Sequence, residues 1–176
     1  MHALVPHPDR PSRRVAAVNA EVTMNGSGGL RLQYSLASAE ALVVPGERAP
    51  ERSDGLWKTT CFELFLRPAD SETYFEFNFS PSFEWAAYAF SGYRSDMRAL
   101  PAPTPEIWLS RSEDWFFLTV EAWLELPPAP LSIGLSAVIE ETGGTLSYWA
   151  LNHPPGPPDF HHPDCFALEL PAPEAP

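Results

Sequence analysis

From residue 57 to residue 94 the chain reads WKTTCFELFLRPADSETYFEFNFSPSFEWAAYAFSGYR. Its apolar and polar residues alternate at period two between short polar turns, a pattern that predicts three adjacent antiparallel strands, at 61–67, 73–79 and 84–90. Only Pro68, Ala69, Asp70 and Ser71 separate the first two, too little chain for a parallel crossover. Ser80, Pro81 and Ser82 turn the second into the third. Alternation puts Cys61, Glu63 and Phe65 on one face of the first strand and Phe62, Leu64 and Leu66 on the other. On the second strand Tyr74, Glu76, Asn78 and Ser80 oppose Phe75, Phe77 and Phe79, and the phenylalanine face is core. A face that sets Glu63, Glu76 and Asn78 between aromatic rings is unusual for a merely solvated surface, so a ligand is expected there.

The remaining chain follows the same grammar. Short strands are expected at 3–5 (an edge strand before Pro6 and Pro8), 15–24, 30–36, 42–44, 107–109, 115–124, 131–139, 145–151 and 166–170. Residues 25–29 (NGSGG) turn one hairpin, and Gly134 inside a strand marks a bulge or a close backbone approach. Residues 95–98 have room for one helical turn. With 21 prolines and no convincing helical period, an all-helical chain is excluded. The expectation is an all-β fold of about ten or eleven strands, a two-sheet antiparallel β-sandwich of jelly-roll type. One domain spans 1–170, followed by a disordered tail at 171–176.

The charge balance narrows the partners. With 23 acidic and 11 basic side chains the formal charge is -12. Nucleic acid and anionic membrane both call for a basic footprint, so neither is an expected partner, whereas neutral or cationic small ligands remain open. The opening MHALVPHPDRPSRR lacks a long apolar run, which makes a cytoplasmic location the default expectation. Two cysteines, Cys61 and Cys165, make no disulfide scaffold and are expected as buried free thiols. The pattern fixes no oligomeric state.

Three segments carry a resemblance: LWKTTCFELFLRP, TYFEFNFSPSFEWAAYAFSGYR and YWALNHPPGPPDFHHPDCFALEL. A tryptophan six residues before a strand glutamate, followed by an F-x-F-N-x-S-P turn, resembles the DOMON-like superfamily in its branch related to family 9 carbohydrate-binding modules. The resemblance implies a β-sandwich holding a sugar or a haem in a groove on one sheet. Carried over residue by residue, it implies that Trp57 and Trp149 sandwich a sugar ring, that Glu63 hydrogen-bonds its hydroxyls, and that Asn78 and Arg94 add polar contacts.

Sugar recognition needs flat apolar rings and a few convergent polar groups. Trp57, Glu63, Glu76, Asn78, Arg94, Trp149 and His161 are the candidate ligand-binding residues, with a small carbohydrate or related polyol as partner, no catalysis and no cofactor. Several have a structural alternative: either tryptophan could close the core, and Glu63 could pair with Arg94 or Lys58. Trp108, Trp115 and Trp123 read as structural. If Glu63 and Glu76 are neighbours across two strands, repulsion would lift the pKa of one of them, the arrangement that paired-carboxylate glycoside chemistry uses. His153, His161 and His162, with Asp159 or Asp164, could line one rim or hold zinc. A haem held by Met97 and His161 or His162, and a structural interaction domain, are the other readings.

Overall fold

The computed structural model describes residues 1–24, 29–125 and 129–172. The expected turn residues 25–28, the prolines at 127 and 128 and the last four residues of the tail lie outside the described residues. Twelve strands occur among them: β1 (His2–Pro6), β2 (Ala17–Met24), β3 (Gly29–Ala37), β4 (Cys61–Pro68), β5 (Tyr74–Phe79), β6 (Trp85–Phe90), β7 (Arg98–Ala99), β8 (Glu106–Arg111), β9 (Trp115–Trp123), β10 (Leu131–Glu141), β11 (Thr145–Ala150) and β12 (Leu168–Leu170). Residues 42–44 form no strand: Leu42 follows a 3₁₀ turn at Ala39–Ala41 and makes a single bridge to Glu141. In place of a helical turn at 95–98, Arg98 and Ala99 pair with β6 as β7. Among the described residues no helix is long and apolar enough to cross a membrane.

The strands form one sheet, in the order β7-β6-β5-β4-β10-β11-β1-β2-β3-β9-β8, and this corrects the expected two-sheet, jelly-roll-like sandwich. The finding that overturns it is the pairing of β1. His2, Ala3 and Leu4 pair with Ala20, Asn19 and Val18 of β2, while Val5 and Pro6 pair with Ala150 and Trp149 of β11. β1, whose residues 3–5 read as an edge strand, is therefore the joint through which the sheet passes from one wing to the other. A sheet that curls this way, with β7 and β8 as free edges, is an open half-barrel.

The curl brings two apolar faces together. Phe62, Leu64 and Leu66 of β4, Phe77 and Phe79 of β5, and Ile133, Leu135, Ala137 and Ile139 of β10 form one buried cluster with Leu30, Leu32, Tyr34 and Leu36 of β3 and Phe116, Leu118 and Val120 of β9. Each large side chain so buried contributes about 1.5–3 kcal/mol. The wings touch where the Tyr34 ring lies 4.9 Å from that of Phe62, and where its hydroxyl donates to the Glu63 carbonyl at 2.7 Å. Trp108, Trp115 and Trp123 do not join this core; they are 45%, 41% and 50% exposed on β8 and β9.

A buried carboxylate locks the entry to β2. Glu141, 1% exposed at the end of β10, accepts the backbone N–H groups of Arg13, Arg14 and Val15 and the hydroxyl of Ser12. Burial opposes its ionisation. The hydrogen bonds from Ser12, Val15, Arg14 and Arg13 outweigh that and hold its pKa below the ordinary carboxylate value.

β11 and β12 are related in a way that shapes the second surface of this wing. β10 pairs with β11 through residues 136–141 and with β12 through Leu131, Ser132 and Ile133, while β4 runs along its other side. β11 and β12 thus share one lane beside β10. Between them, residues 151–167 leave the sheet, cross its outer face and return. Gly134 marks the crossing, since a Cβ there would meet Phe65 Cβ at 3.2 Å and the Cys165 carbonyl at 3.3 Å. The close approach read from sequence is present at this glycine. Cys61 and Cys165 are both buried and free.

Candidate functional site

The register of four strands assembles the outer face of the second wing. Glu63 pairs with Asn78 on one side and Ser136 on the other, Glu76 pairs with Phe65 and Tyr88, and Tyr74 pairs with Phe90. Paired residues share a face, so the polar set expected from alternation lies together with Tyr88, Phe90 and, through Val138, Tyr148. Glu63 and Glu76 are diagonal neighbours on adjacent strands, not direct partners.

This face is the floor of a cavity of about 360 Å³. Glu63, Glu76 and Val138 lie in the floor, and Tyr88, Phe90 and Tyr148 stand around them. Trp57 borders it from a 3₁₀ turn at Leu56–Lys58, which Gly55 enters at φ +76°, a conformation that favours glycine. Arg94 and Met97 come from the connection after β6, and Pro158, Phe160 and His161 from the excursion at 151–167. The prolines of that excursion stiffen it without needing ladder hydrogen bonds.

Of the residues singled out from sequence, Trp57, Glu63, Glu76, Arg94 and His161 are brought together around the cavity. Asn78 lies under it, fully buried, its Nδ2 donating to Glu76 Oε1 at 2.8 Å while its Oδ1 has no partner among the described residues. Trp149 is placed elsewhere. It is 3% exposed in the core between the wings, its indole N–H donating to Ser147 at 3.0 Å, so it does not pair with Trp57 across the cavity. Its neighbour Tyr148 has the position on the cavity side. Tyr88, Phe90, Tyr148 and Phe160 were missed by sequence reasoning. Carrying the alternation of β5 across its antiparallel partner would have found Tyr88 and Phe90.

The two carboxyl groups differ in support. Among the described residues the Glu63 carboxyl, on a residue 3% exposed, accepts only the Ser136 hydroxyl, at 3.1 Å on Oε2. Burial and then repulsion from Glu76 push its pKa up to about 8, against the opposing pull of Ser136 and Arg94. Burial also raises the Glu76 pKa, with Asn78 and Arg94 pulling it down. At neutral pH Glu63 therefore keeps its proton and can donate it.

His161 is packed among rings, 5.3 Å from that of Phe65 and 5.2 Å from that of Phe90. The Tyr74 hydroxyl accepts the Arg94 N–H at 3.2 Å and lies 2.8 Å from His161 Nδ1. Having accepted one proton, the phenol donates its own to Nδ1, an assignment made from the network. The imidazole proton then sits on Nε2, 3.7 Å from Glu76 Oε2. Burial, then the nearby Arg94, lower the His161 pKa to about 4, so the ring is neutral at pH 7.

The rim is tied by Asp159. It accepts Arg94 Nη2 at 2.7 Å, the Tyr93 hydroxyl and the His161 N–H at 3.2 Å, joining the connection after β6 to the excursion. The histidines read as one concentration are dispersed: His153 contacts the Val5 carbonyl at 2.9 Å and the His7 ring at 4.8 Å, and His162 lies against Asp164. Among the described residues no three His, Cys, Asp or Glu side chains are placed to hold a metal ion.

No family model matches the chain, and a search of curated proteins finds no match. Among solved structures, the fold is similar to that of a protein from Bacteroides uniformis ATCC 8492 named as a putative carbohydrate-binding protein. The likeness has a TM-score of 0.63 at 14% identity and covers 93% of this chain and 82% of that one. Across that span the two chains share a fold.

Proposed function

We propose that the chain binds a small carbohydrate or related polyol, without turning it over, in the cavity on the outer face of β4, β5 and β6. The observation that carries this reading is a pair of buried carboxyls, Glu63 and Glu76, on the floor of a cavity of about 360 Å³ walled by Trp57, Tyr88, Phe90, Tyr148 and Phe160. That volume suits a small ligand. Aromatic walls offer surface to the C–H faces of a sugar ring, and the floor offers both kinds of hydrogen-bond partner, Glu63 as donor and Glu76 as acceptor. The sequence resemblance to family 9 carbohydrate-binding modules and the fold shared with a protein named for carbohydrate binding support the same reading.

The sugar-ring sandwich is reassigned in this proposal. Trp57 supplies one wall, and Tyr148 with Phe160 replaces Trp149 as the other. A panel of mono- and disaccharides, titrated calorimetrically and by tryptophan fluorescence, tests it: saturable heat is expected, with a fluorescence change that disappears in Trp57→Phe. Absence of both signals at millimolar ligand would overturn it.

The neighbouring carboxyls favour one second reading, glycoside hydrolysis with Glu63 as acid. Turnover of chromogenic glycosides that is lost in Glu63→Gln would replace binding by catalysis. The haem reading fits less well. Met97 and His161 both line the cavity, yet the ring nitrogens of His161 are turned to Tyr74 and Glu76.

A further inference from the structure

The floor of the cavity holds two carboxyl groups, and among the described residues no Lys or Arg forms an ion pair with either. Glu63 is 3% exposed and lines the cavity; its Oε2 accepts from Ser136, and its Oε1 has no hydrogen-bond partner among the described residues. Glu76, 6% exposed, has Asn78 on Oε1 and the uncharged His161 at 3.7 Å from Oε2. The guanidinium of Arg94 also borders the cavity, but it is anchored on Asp159 at 2.7 Å and is half exposed at the rim. A buried carboxylate without a counter-charge is costly, and it ionises readily only when a cation arrives.

Resting on the reading of this cavity as a polyol site, we propose that its ligand carries a protonated amine, seated against Glu63 and Glu76 among the side chains of Trp57, Tyr88 and Tyr148. Aromatic faces attract a cation as well as an apolar ring, so the walls serve both parts of an amino sugar or amino polyol. Two carboxylates beside one ammonium remove the repulsion between Glu63 and Glu76. A neutral sugar meets the same floor with Glu63 still protonated, and gains a hydrogen bond without a charge partner.

The two cases differ in their protons. An ammonium ligand keeps its own proton, and Glu63 gives its proton to the buffer as the ion pair forms, whereas a neutral sugar releases none. The titratable and charged groups around Glu63 are Cys61 on its own strand, Tyr34 from β3, Glu76 and Tyr74 from β5, Tyr88 from β6, Tyr148 from β11, Arg94 on the rim, and His161 with Asp159 on the excursion. Of these, Glu76 is the carboxyl that shares the released proton with Glu63, since burial raises the thiol and the phenols of Tyr34, Tyr74 and Tyr88 and keeps His161 neutral.

Isothermal titration of the full chain at pH 6.5 with D-glucosamine, D-glucose and N-acetyl-D-glucosamine, each in two buffers of different protonation enthalpy, tests the proposal. Glucosamine is expected to bind at least tenfold more tightly than either neutral sugar, with a heat that differs between buffers by the released proton. In Glu63→Gln, its folding checked by circular dichroism, the preference for the amine is expected to shrink below threefold. If that variant does not fold, the buffer dependence of the wild-type protein decides. Equal affinities, or a glucosamine heat independent of buffer, would overturn the amine proposal and leave neutral polyol binding intact. No binding by these three or by the wider panel would remove both.

Discussion

Raising the pH from 6.5 to 8 is expected to weaken the fold, and Glu63 is the reason. In the unfolded chain this side chain is ionised throughout that interval, because its ordinary pKa is 4.5; in the folded chain it holds its proton until about pH 8. The folded state thus binds more protons, and stability falls as pH rises. The stabilisation is complete below the unfolded value and lost through the folded one. Integrated between pH 6.5 and 8, the loss from one such group is about 1–2 kcal/mol. Glu76, raised by burial, acts in the same direction. His161 acts the other way, but lower: its pKa falls from 6.5 to about 4, so its destabilising effect grows only as pH drops below 6.5. Urea denaturation at pH 6.5, 7 and 8 measures the slope, and Glu63→Gln is the control. The variant is expected to lose most of the decline while its circular dichroism stays unchanged. A wild-type protein equally stable at all three pH values, or a variant with the same decline, would refute the assignment of the raised pKa to Glu63.

Three further outcomes follow from particular contacts. Glu141→Gln is expected to cost about 2–3 kcal/mol in denaturant unfolding, because hydrogen bonds to a buried charge are lost. Since the Glu141 pKa is held below 4.5, its contribution is present above that value and lost as pH falls through the folded pKa, so the variant should also lose part of the wild-type sensitivity to acid. Trp57→Ala and Trp149→Ala should separate binding from stability: Trp57, 41% exposed at the cavity, should weaken ligand binding at least tenfold while costing under about 1 kcal/mol. Trp149, 3% exposed in the core, should cost about 3–5 kcal/mol. Gly134→Ala should lower stability by about 1–3 kcal/mol, because the new methyl meets Phe65 Cβ at 3.2 Å and the Cys165 carbonyl at 3.3 Å; a melting temperature at or above wild type would show that the excursion yields there.

Alternation made the central three strands and their two faces legible, because side-chain direction within a strand is a local property. Glu63, Glu76 and Asn78 needed nothing more to be placed on one side. The choice between Tyr148 and Trp149 was another matter. Both are aromatic, so the pattern SYWA carries no parity of its own; the pairing of Val138 with Tyr148 and of Ala137 with Trp149 decides which ring faces the core. The number of sheets was hidden for a similar reason. Residues 2–6 are a short apolar run whose composition is that of any edge strand, and only their partners far along the chain, 18–20 and 149–150, make them the joint of the half-barrel. Ion pairing at the rim, where Asp159 meets Arg94 65 residues away, had no local signal either.

The shared lane of β11 and β12 separates one part of the cavity wall, at Pro158, Phe160 and His161, from the scaffold. Sheet pairing is satisfied before residue 151 and again from residue 168, so the segment between is a cassette clipped into a frame that already stands. Exchanging that cassette for one of another length or chemistry would recut the cavity without asking any strand to find a new partner. The part of the cavity lining at Pro158, Phe160 and His161 can thus change while the strands that carry Glu63, Glu76, Tyr88 and Tyr148 stay paired, which makes 151–167 the place to begin a redesign.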